Sequence, residues 1–237
     1  MRDSSTSLGM TKAADKIIVA LDVPTSKAAL KLLSELSAIV RYFKVGLQLY
    51  TTTGPAVIRS ASFLGKVFLD LKLHDIPNTV AKAVAAASTL EVQMLTVHLS
   101  GGAEMIRAAT ARKGKMSILG VTVLTSANEQ TLRETGVSDK IDQQVLRLAK
   151  LGVENGIDGV VSSPHEIKPL RREFGDKIKI VVPGIRPSWS EPGDQRRTMT
   201  PSEALEAGAD YLVIGRPITA HPNPREAADK ILEELHA

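Results

Sequence analysis

Three ionisable residues of the segment 66–80 have types and a spacing that suit acid–base chemistry: Asp70, Lys72 and Asp75. Asp70 and Lys72 alternate with leucines, so in a β-strand both side chains would point to one face while the leucines form the opposite, apolar face. The same alternation occurs in strands that expose one face to water. Asp75 favours a functional interpretation, because it lies beyond the strand and just before Ile76-Pro77, where the chain must turn before a new helix.

The spacing Asp-x-Lys-x-x-Asp would place the ammonium group of Lys72 between two carboxylates. One such pair at a separation of about 4 Å gains about 4 kcal/mol at an effective dielectric constant of about 20. Neighbouring carboxylates favour the protonated form of a lysine, whereas a lysine that forms a Schiff base needs burial or nearby cations to become a neutral nucleophile. We therefore predict that Lys72 donates a proton and does not attack a carbonyl carbon.

Short β-rich runs alternate with longer helical stretches along the whole chain, which predicts an α/β protein with a single domain, a (β/α)8 TIM barrel over residues 15–237. Residues 1–14 are predicted to form a loose N-terminal tail. A doubly wound open sheet is the main alternative, but the first strand ends in Asp22-Val-Pro24 and lacks the glycine-rich turn of dinucleotide-binding folds. The predicted strands are 16–23, 42–48, 66–73, 94–100, 117–125, 159–163, 179–185 and 211–216. The predicted helices are 25–38, 51–61, 78–91, 102–112, 140–155, 165–174, 201–207 and 224–235.

In a TIM barrel, functional residues gather at the carboxyl ends of the strands. Asp22 ends the first predicted strand, and Lys44 alternates with apolar residues in the second, as Asp70 and Lys72 do in the third. If this charged parity faces the barrel interior, two aspartates and two lysines converge at one mouth. Each of them could instead be a surface charge, but four such residues at the ends of three successive strands favour a functional site.

The ends of the fifth, seventh and eighth predicted strands carry residues that could bind a ligand. The fifth predicted strand ends in Leu124-Thr125-Ser126, which offers hydroxyl and amide groups without charge. Loops after the seventh and eighth strands are the recurrent phosphate site of TIM barrels, where backbone amides and arginines meet the dianion. The polar segment 187–197 has one large apolar side chain, Trp189, and is predicted to be a lid that closes over bound phosphate. The predicted phosphate ligands are Arg186, Gln195, Gly215 and Arg216.

Composition excludes several classes of site. The chain of 237 residues has no cysteine, which rules out disulfides, thiolate catalysis and cysteine-based zinc sites. Its histidines lack the H-x-H and H-E-x-x-H spacings of metal sites, and His98, on the interior parity of the fourth strand, is interpreted as a core or supporting residue. Aromatic residues make up only 3%, so base-stacking surfaces for nucleic acid are scarce. The basic residues behind the net charge of +4 are dispersed; solvated faces explain most of this charge, and a small anionic substrate can explain the rest. No apolar run reaches the roughly 18 residues of a membrane span, so a soluble cytoplasmic protein is expected.

Several motifs in this chain occur together in one known family. The central motif runs from Phe68 to Thr79, with the sequence FLDLKLHDIPNT, and the chain ends its last strand in Ile214-Gly-Arg-Pro-Ile218. The remaining motifs are Leu21-Asp22, Phe43-Lys44-Val-Gly46, Val121-Thr-Val-Leu-Thr-Ser126 and Pro183-Gly-Ile-Arg186 with Gln195. On these motifs, roughly residues 16–235 resemble the orotidine 5'-monophosphate decarboxylase family.

The resemblance implies decarboxylation of orotidine 5'-monophosphate to uridine 5'-monophosphate and CO2 in de novo pyrimidine biosynthesis, with no metal and no organic cofactor. Lys72 would donate a proton to C6 of the pyrimidine, with Asp70 beside the departing carboxylate. The implied catalytic residues are Lys72, Asp70, Asp75 and Lys44. The implied substrate-binding residues are Asp22, Lys44, Asp70, Lys72, Asp75, Ile76, Thr79, Thr125, Ser126, Arg186, Gln195, Gly215 and Arg216.

The resemblance also implies a homodimer with shared active sites. Asp75 and Thr79 would reach into the site of the neighbouring subunit, whereas Lys44 and Asp22 would hold the ribose hydroxyls within their own. Thr125 and Ser126 would lie beside the pyrimidine.

Two other functions remain open at this point. A magnesium-dependent sugar-phosphate decarboxylase or aldolase of the same superfamily would keep the barrel and the Asp-x-Lys-x-x-Asp motif. A barrel that binds a nucleotide or RNA without catalysis would explain the basic residues, and its RNA binding would weaken with salt.

Overall fold

In the computed structural model, which describes residues 13–190 and 198–235, eight parallel strands close into one barrel in chain order, and this confirms the predicted (β/α)8 architecture. None of the helices in those two ranges is long and apolar enough to cross a membrane. The strands are β1 (Ile17–Ala20), β2 (Tyr42–Gly46), β3 (Lys66–Leu73), β4 (Met94–His98), β5 (Ser117–Val121), β6 (Gly159–Val161), β7 (Lys179–Val182) and β8 (Tyr211–Ile214). The helices are α1 (Ser26–Leu36), α2 (Leu47–Thr53), α3 (Ala56–Ser62), α4 (Pro77–Ser88), α5 (Gly102–Thr110), α6 (Glu129–Glu134), α7 (Ile141–Glu154), α8 (Ile167–Phe174), α9 (Pro201–Glu206), α10 (Arg216–Thr219) and α11 (Pro224–Glu234).

The period of two residues along each strand divides the apolar side chains into two layers. One parity fills the barrel interior and the other packs against the surrounding helices. In β3, Val67 and Leu69 belong to the outer layer and Phe68 to the inner layer. The inner layer consists of Ile18, Ala20, Tyr42, Phe68, Met94, Leu119, Val181 and Val213. Because these residues fill the lower part of the barrel, the polar residues of the same parity lie above them, toward the carboxyl ends.

The described part of the chain begins two residues before the predicted domain boundary at residue 15. Ala13 and Ala14 are helical, and each is 8% exposed in the outer core layer. The prediction of a loose tail is therefore wrong for these two residues, because their small side chains pack against the barrel. Residues 1–12 lie outside the described ranges, so the prediction for them stays untested.

Several predicted element bounds were too generous. The single helix predicted over 51–61 is two helices, α2 and α3, because Gly54 at the end of α2 adopts a φ of +61° and Pro55 follows it. The strand predicted over 117–125 ends at Val121, and β6 ends at Val161. The short helix α6 was not predicted, although Asn128 caps it by accepting a hydrogen bond from the Thr131 amide.

Candidate active site at the carboxyl ends of the strands

A cavity of about 400 Å3 opens at the carboxyl ends of the barrel strands. This volume lies in the range of small-molecule sites in enzymes. Both the charged residues of the first three strands and the predicted phosphate ligands of the last two contribute to its wall. Of the predicted site residues, the cavity is lined by Asp22, Lys44, Asp70, Lys72, Thr125, Arg186, Gly215 and Arg216.

Four charged side chains in this cavity form a network in which positive and negative charges alternate. The Lys72 Nζ lies 2.9 Å from both carboxylate oxygens of Asp70. On the other side of that carboxylate, the Lys44 Nζ lies 3.6 Å from Oδ2 of Asp70 and 2.9 Å from Oδ1 of Asp22. The predicted convergence of two aspartates and two lysines at one mouth is thus confirmed.

The inner part of this network is shielded from water, whereas Asp22 is exposed. The side chains of Lys44 and Asp70 are only 10% and 12% exposed, but that of Asp22 is 57% exposed. Burial alone would raise the pKa of Asp70, but the charges of Lys44 and Lys72, together with hydrogen bonds from Lys72 and Thr96, outweigh it and lower that pKa below its ordinary value. Asp70 is therefore a fixed negative charge between two ammonium groups at neutral pH.

Asp75, the second carboxylate of the Asp-x-Lys-x-x-Asp motif, does not pair with Lys72 of its own chain. The prediction that the Lys72 ammonium lies between Asp70 and Asp75 is therefore wrong for a single chain. Asp75 lies in the turn before α4, where its Oδ1 accepts a hydrogen bond from the Ile76 amide at 2.7 Å. Its side chain is exposed, and the described residues form no ion pair with it. The reason is the turn itself, because beyond Leu73 the chain leaves the barrel wall and carries Asp75 outward.

The first turn of α4 also places Ile76 and Thr79 outside the cavity of their own chain. Both are exposed, and Ile76 is a large apolar side chain that is 67% exposed. Ser126 is likewise exposed and does not line the cavity, although its neighbour Thr125 does. The predicted substrate contacts of these residues therefore stay predictions.

Two guanidinium groups lie at the cavity wall in the segments that follow β7 and β8. Arg186 and Arg216 both line the cavity, and burial together with the nearby charge of Arg216 lowers the pKa of Arg186. The Arg186 Nη1 donates a hydrogen bond to the Ile185 carbonyl at 2.9 Å, which fixes part of its orientation. Because the two cations repel each other, a bound dianion would relieve the repulsion while it accepts their hydrogen bonds.

The predicted lid is described only in part. Gln195 and the rest of residues 191–197 lie outside the described residues, so the predicted phosphate contact of Gln195 and the closing motion are untested. Trp189 is 42% exposed, and its ring meets that of His221 edge to face with centroids 6.0 Å apart. His221 follows α10, so this contact links the described start of the segment to the loop after α10.

Sequence reasoning missed two polar residues of the site. Thr96 in β4 is fully buried, and its hydroxyl donates a hydrogen bond to Oδ1 of Asp70 at 3.0 Å. Ser162 follows β6, lines the cavity and is 1% exposed, and its hydroxyl has no hydrogen-bond partner among the described residues. Thr96 shares the interior parity of Met94 and His98 in β4, and that parity, already applied to His98, was the signal that could have found it. Ser162 lies one residue beyond β6 and shares the parity of Val160, which packs in the outer layer, so strand parity gave no signal for Ser162.

The histidine on the interior parity of β4 pairs with another histidine. The rings of His98 and His74 are tilted against each other with centroids 5.5 Å apart. Burial, the charge of His74 and the charge of Lys72 together lower the pKa of His98, although Asp70 opposes them. His98 is therefore neutral at pH 7, in keeping with a supporting role. Across residues 13–190 and 198–235, no three histidine or acidic side chains form a group that could hold a metal ion.

Comparison with known proteins gives one consistent result. A family model described as Orotidine 5'-phosphate decarboxylase / HUMPS family matches residues 15–231. The orotidine 5'-phosphate decarboxylase of Moorella thermoacetica is 50% identical over 234 residues, covering 94% of this chain and 93% of that protein. The protein of the same name from Geotalea daltonii is 48% identical and covers 95% and 98%. The crystal structure of orotidine 5'-phosphate decarboxylase from Lactobacillus acidophilus superposes with a TM-score of 0.83 at 37% identity, covering 94% of this chain and all of that one.

Proposed function

Because the chain belongs to the orotidine 5'-phosphate decarboxylase / HUMPS family, we propose that its barrel mouth converts orotidine 5'-monophosphate to uridine 5'-monophosphate and CO2. The enzyme is then a carboxy-lyase of pyrimidine biosynthesis, acting in the cytoplasm. The observation that carries the proposal is the alternating series of Asp22, Lys44, Asp70 and Lys72 in a cavity that also presents two arginines.

The chemical difficulty of this reaction is the charge that it leaves on carbon. When the bond from C6 to the carboxylate breaks, the electron pair stays in the plane of the pyrimidine ring and cannot delocalise into the π system. A fixed cation beside C6 stabilises that charge most strongly where water is excluded. Lys72 fits this role, because its ammonium is held by Asp70 at 2.9 Å and its side chain is only 29% exposed.

Lys72 also completes the reaction by proton transfer. Its Nζ gives a proton to C6, which forms the new C–H bond of the product and leaves a neutral amine that solvent protonates again after product release. Asp70 keeps the ammonium in one position before the transfer. The same carboxylate lies beside the departing CO2 in this proposal, and Lys44 prevents the net charge of the site from becoming strongly negative.

Substrate binding is assigned to the outer parts of the cavity. Asp22 is exposed at the mouth and, with Lys44, is positioned to hold ribose hydroxyls. Arg186 and Arg216 bind the phosphate, with Gly215 between β8 and α10. Since phosphate binding is remote from C6, it supplies binding energy that can organise the site for the chemical step.

We further propose that two chains share their active sites. Asp75 and Ile76 just before α4 and Thr79 in its first turn are exposed and do not line the cavity of their own chain, and Ile76 offers an apolar contact for a partner. In a symmetric dimer, the same turn of each chain would enter the mouth of the other. Asp75 would then supply the second carboxylate that Lys72 lacks within one chain.

Mixing two inactive variants tests this sharing. Lys72→Ala and Asp75→Asn homodimers should each be inactive, but random exchange of subunits would give heterodimers in which one of the two sites is intact, restoring about a quarter of the wild-type activity. If the mixture stays inactive although co-purification of differently tagged subunits shows exchange, Asp75 does not act across the interface.

The loss of ultraviolet absorbance on incubation with orotidine 5'-monophosphate tests the activity itself. Purified protein should turn over the substrate equally with and without EDTA. Absence of turnover would contradict the proposed function. Turnover that EDTA abolishes would favour the magnesium-dependent alternative.

A further inference from the structure

The strand that carries Asp70 and Lys72 is irregular at the position of these two residues. The pairing of β3 with β4 runs from Leu69 opposite Leu95 to Leu73 opposite Val97. The chain thus advances four residues along β3 but only two along β4, so β3 bulges away from its partner strand. Thr96 is the single residue of β4 that faces this bulge.

The bulge gives Lys72 an unusual backbone conformation. Its φ is +50°, which is one of two positive values among the described non-glycine residues. A side chain with a Cβ adopts this left-handed conformation at a cost in energy, and such conformations persist when surrounding contacts hold them. The irregular pairing also removes a regular partner for the amide of Lys72, so that this amide needs another acceptor.

The hydroxyl of Thr96 meets both needs. It accepts a hydrogen bond from the Lys72 amide at 2.8 Å and donates one to Oδ1 of Asp70 at 3.0 Å. That same Oδ1 accepts from the Lys72 Nζ at 2.9 Å. One fully buried hydroxyl therefore fixes the backbone of the lysine and the carboxylate that orients its ammonium.

We propose that Thr96 is a positioning residue for the decarboxylation: it stabilises the left-handed conformation of Lys72 and the orientation of Asp70, and so sets where the ammonium lies. This inference rests on the proposed function for its kinetic consequence. It does not require Thr96 to touch the substrate, which distinguishes it from the residues that line the cavity.

Two substitutions distinguish the contribution of the Thr96 hydroxyl from that of the side-chain shape. Thr96→Val keeps the branched shape and loses the hydroxyl, whereas Thr96→Ser keeps the hydroxyl and loses a methyl group. We expect Thr96→Val to lower kcat about 10- to 100-fold, since a misplacement of about 1 Å costs rates of this order. The dissociation constant for uridine 5'-monophosphate should change less than about threefold, and Thr96→Ser should keep kcat within about threefold of wild type, because neither change removes a phosphate or ribose contact.

A merely structural role predicts a different result. Both variants would then lose activity in proportion to their loss of thermal stability, and KM would change together with kcat. The inference is overturned if Thr96→Val keeps wild-type kcat, or if Thr96→Ser loses as much activity as Thr96→Val.

A crystal structure of Thr96→Val gives a readout that does not depend on turnover. We expect the φ of Lys72 to leave the left-handed region or its Nζ to move from Asp70 by more than about 1 Å, the scale that affects positioning. Unchanged positions of both residues would overturn the inference. If wild-type protein fails to turn over orotidine 5'-monophosphate, the proposed function fails, while this structural comparison still decides the role of Thr96.

Discussion

Aspartates at the two ends of the barrel have different hydrogen-bond partners. At the amino end, Asp210 precedes β8, and its Oδ2 accepts hydrogen bonds from the Ile180 amide at 2.8 Å and from Arg171 at 2.7 Å. Asp158 precedes β6 and binds the Ile118 amide of β5 at 2.8 Å. At the carboxyl end, the partners of Asp70 are side chains: two lysines and a threonine.

This difference separates structural charges from chemical ones. A carboxylate that accepts a backbone amide ties a strand to its neighbour, and a nearby cation only completes its hydrogen bonding. A carboxylate between two ammonium groups at a cavity wall has side chains as its partners, and it arranges charge where a ligand can bind. We therefore expect substitutions at the carboxyl end to affect turnover most and substitutions at the amino end to affect stability most.

Replacing Lys72 should have the largest effect. Lys72→Ala removes both the fixed cation and the proton donor, so kcat should fall by about 10⁴-fold or more, while uridine 5'-monophosphate still binds. Steady-state turnover and calorimetric binding measure the two quantities. Lys66→Ala is the matched control, because Lys66 begins the same strand at the amino end and should leave kcat unchanged; a Lys72→Ala rate near wild type would refute the assignment.

Asp70→Asn should lower kcat by about 10²- to 10³-fold, since it removes the charge that orients Lys72. The same residue should make stability depend on pH. The pKa of Asp70 is lower in the folded chain than its ordinary value of 3.8, so the ionised carboxylate stabilises the fold above pH 3.8. This contribution is lost as the pH falls through the folded-state pKa. Wild type and Asp70→Asn should thus differ in free energy of unfolding by a constant amount between about pH 5 and pH 8 and converge below about pH 4. Urea unfolding at several pH values measures this difference, and a gap that widens in acid would contradict the account.

Arg216→Ala should have an intermediate effect. A charge-assisted hydrogen bond contributes about 1.5–3 kcal/mol, so kcat/KM for the nucleotide should fall about 10- to 100-fold. With orotidine, which lacks the phosphate, the variant and wild type should have equal rates. Arg172→Ala on the exposed side of α8 serves as the control, and an equal loss with orotidine would show that Arg216 does not act through phosphate.

Asp210→Asn should have the smallest effect on turnover. We expect kcat within about twofold of wild type, but a free energy of unfolding lower by about 1–3 kcal/mol, because the Ile180 amide and Arg171 lose a charged acceptor. Chemical denaturation and turnover measured on the same sample decide the matter. A large loss of kcat without a loss of stability would break the distinction between the two ends.

The barrel and its charged mouth could be predicted from the sequence, because both follow from regular alternation along the chain. Alternating strands and helices defined the fold, and the period of two residues placed Lys44 and Asp70 inside. The bulge in β3 could not be predicted, since no glycine marks it and Lys72 itself adopts the left-handed conformation. Local spacing also misplaced Asp75, because the path of a turn decides whether a residue three positions later faces the same cavity.

The buried hydroxyls were harder to predict for a physical reason. Threonine and serine in an apolar strand pack as small residues, so their types do not show whether the hydroxyl has a structural or functional partner. Thr96 has two such partners in the charge network, whereas the hydroxyl of Ser162 has none within residues 13–190 and 198–235. Only the positions of neighbouring strands, which the closed barrel fixes, separate the two cases.

A crystal structure of the protein with bound uridine 5'-monophosphate tests the central claim most directly. The account predicts that the pyrimidine occupies the cavity with its C6 within about 3–3.5 Å of the Lys72 Nζ, the range for proton transfer, and that the phosphate lies against Arg186 and Arg216. A nucleotide bound elsewhere, or a Lys72 ammonium turned to solvent and far from the base, would contradict it.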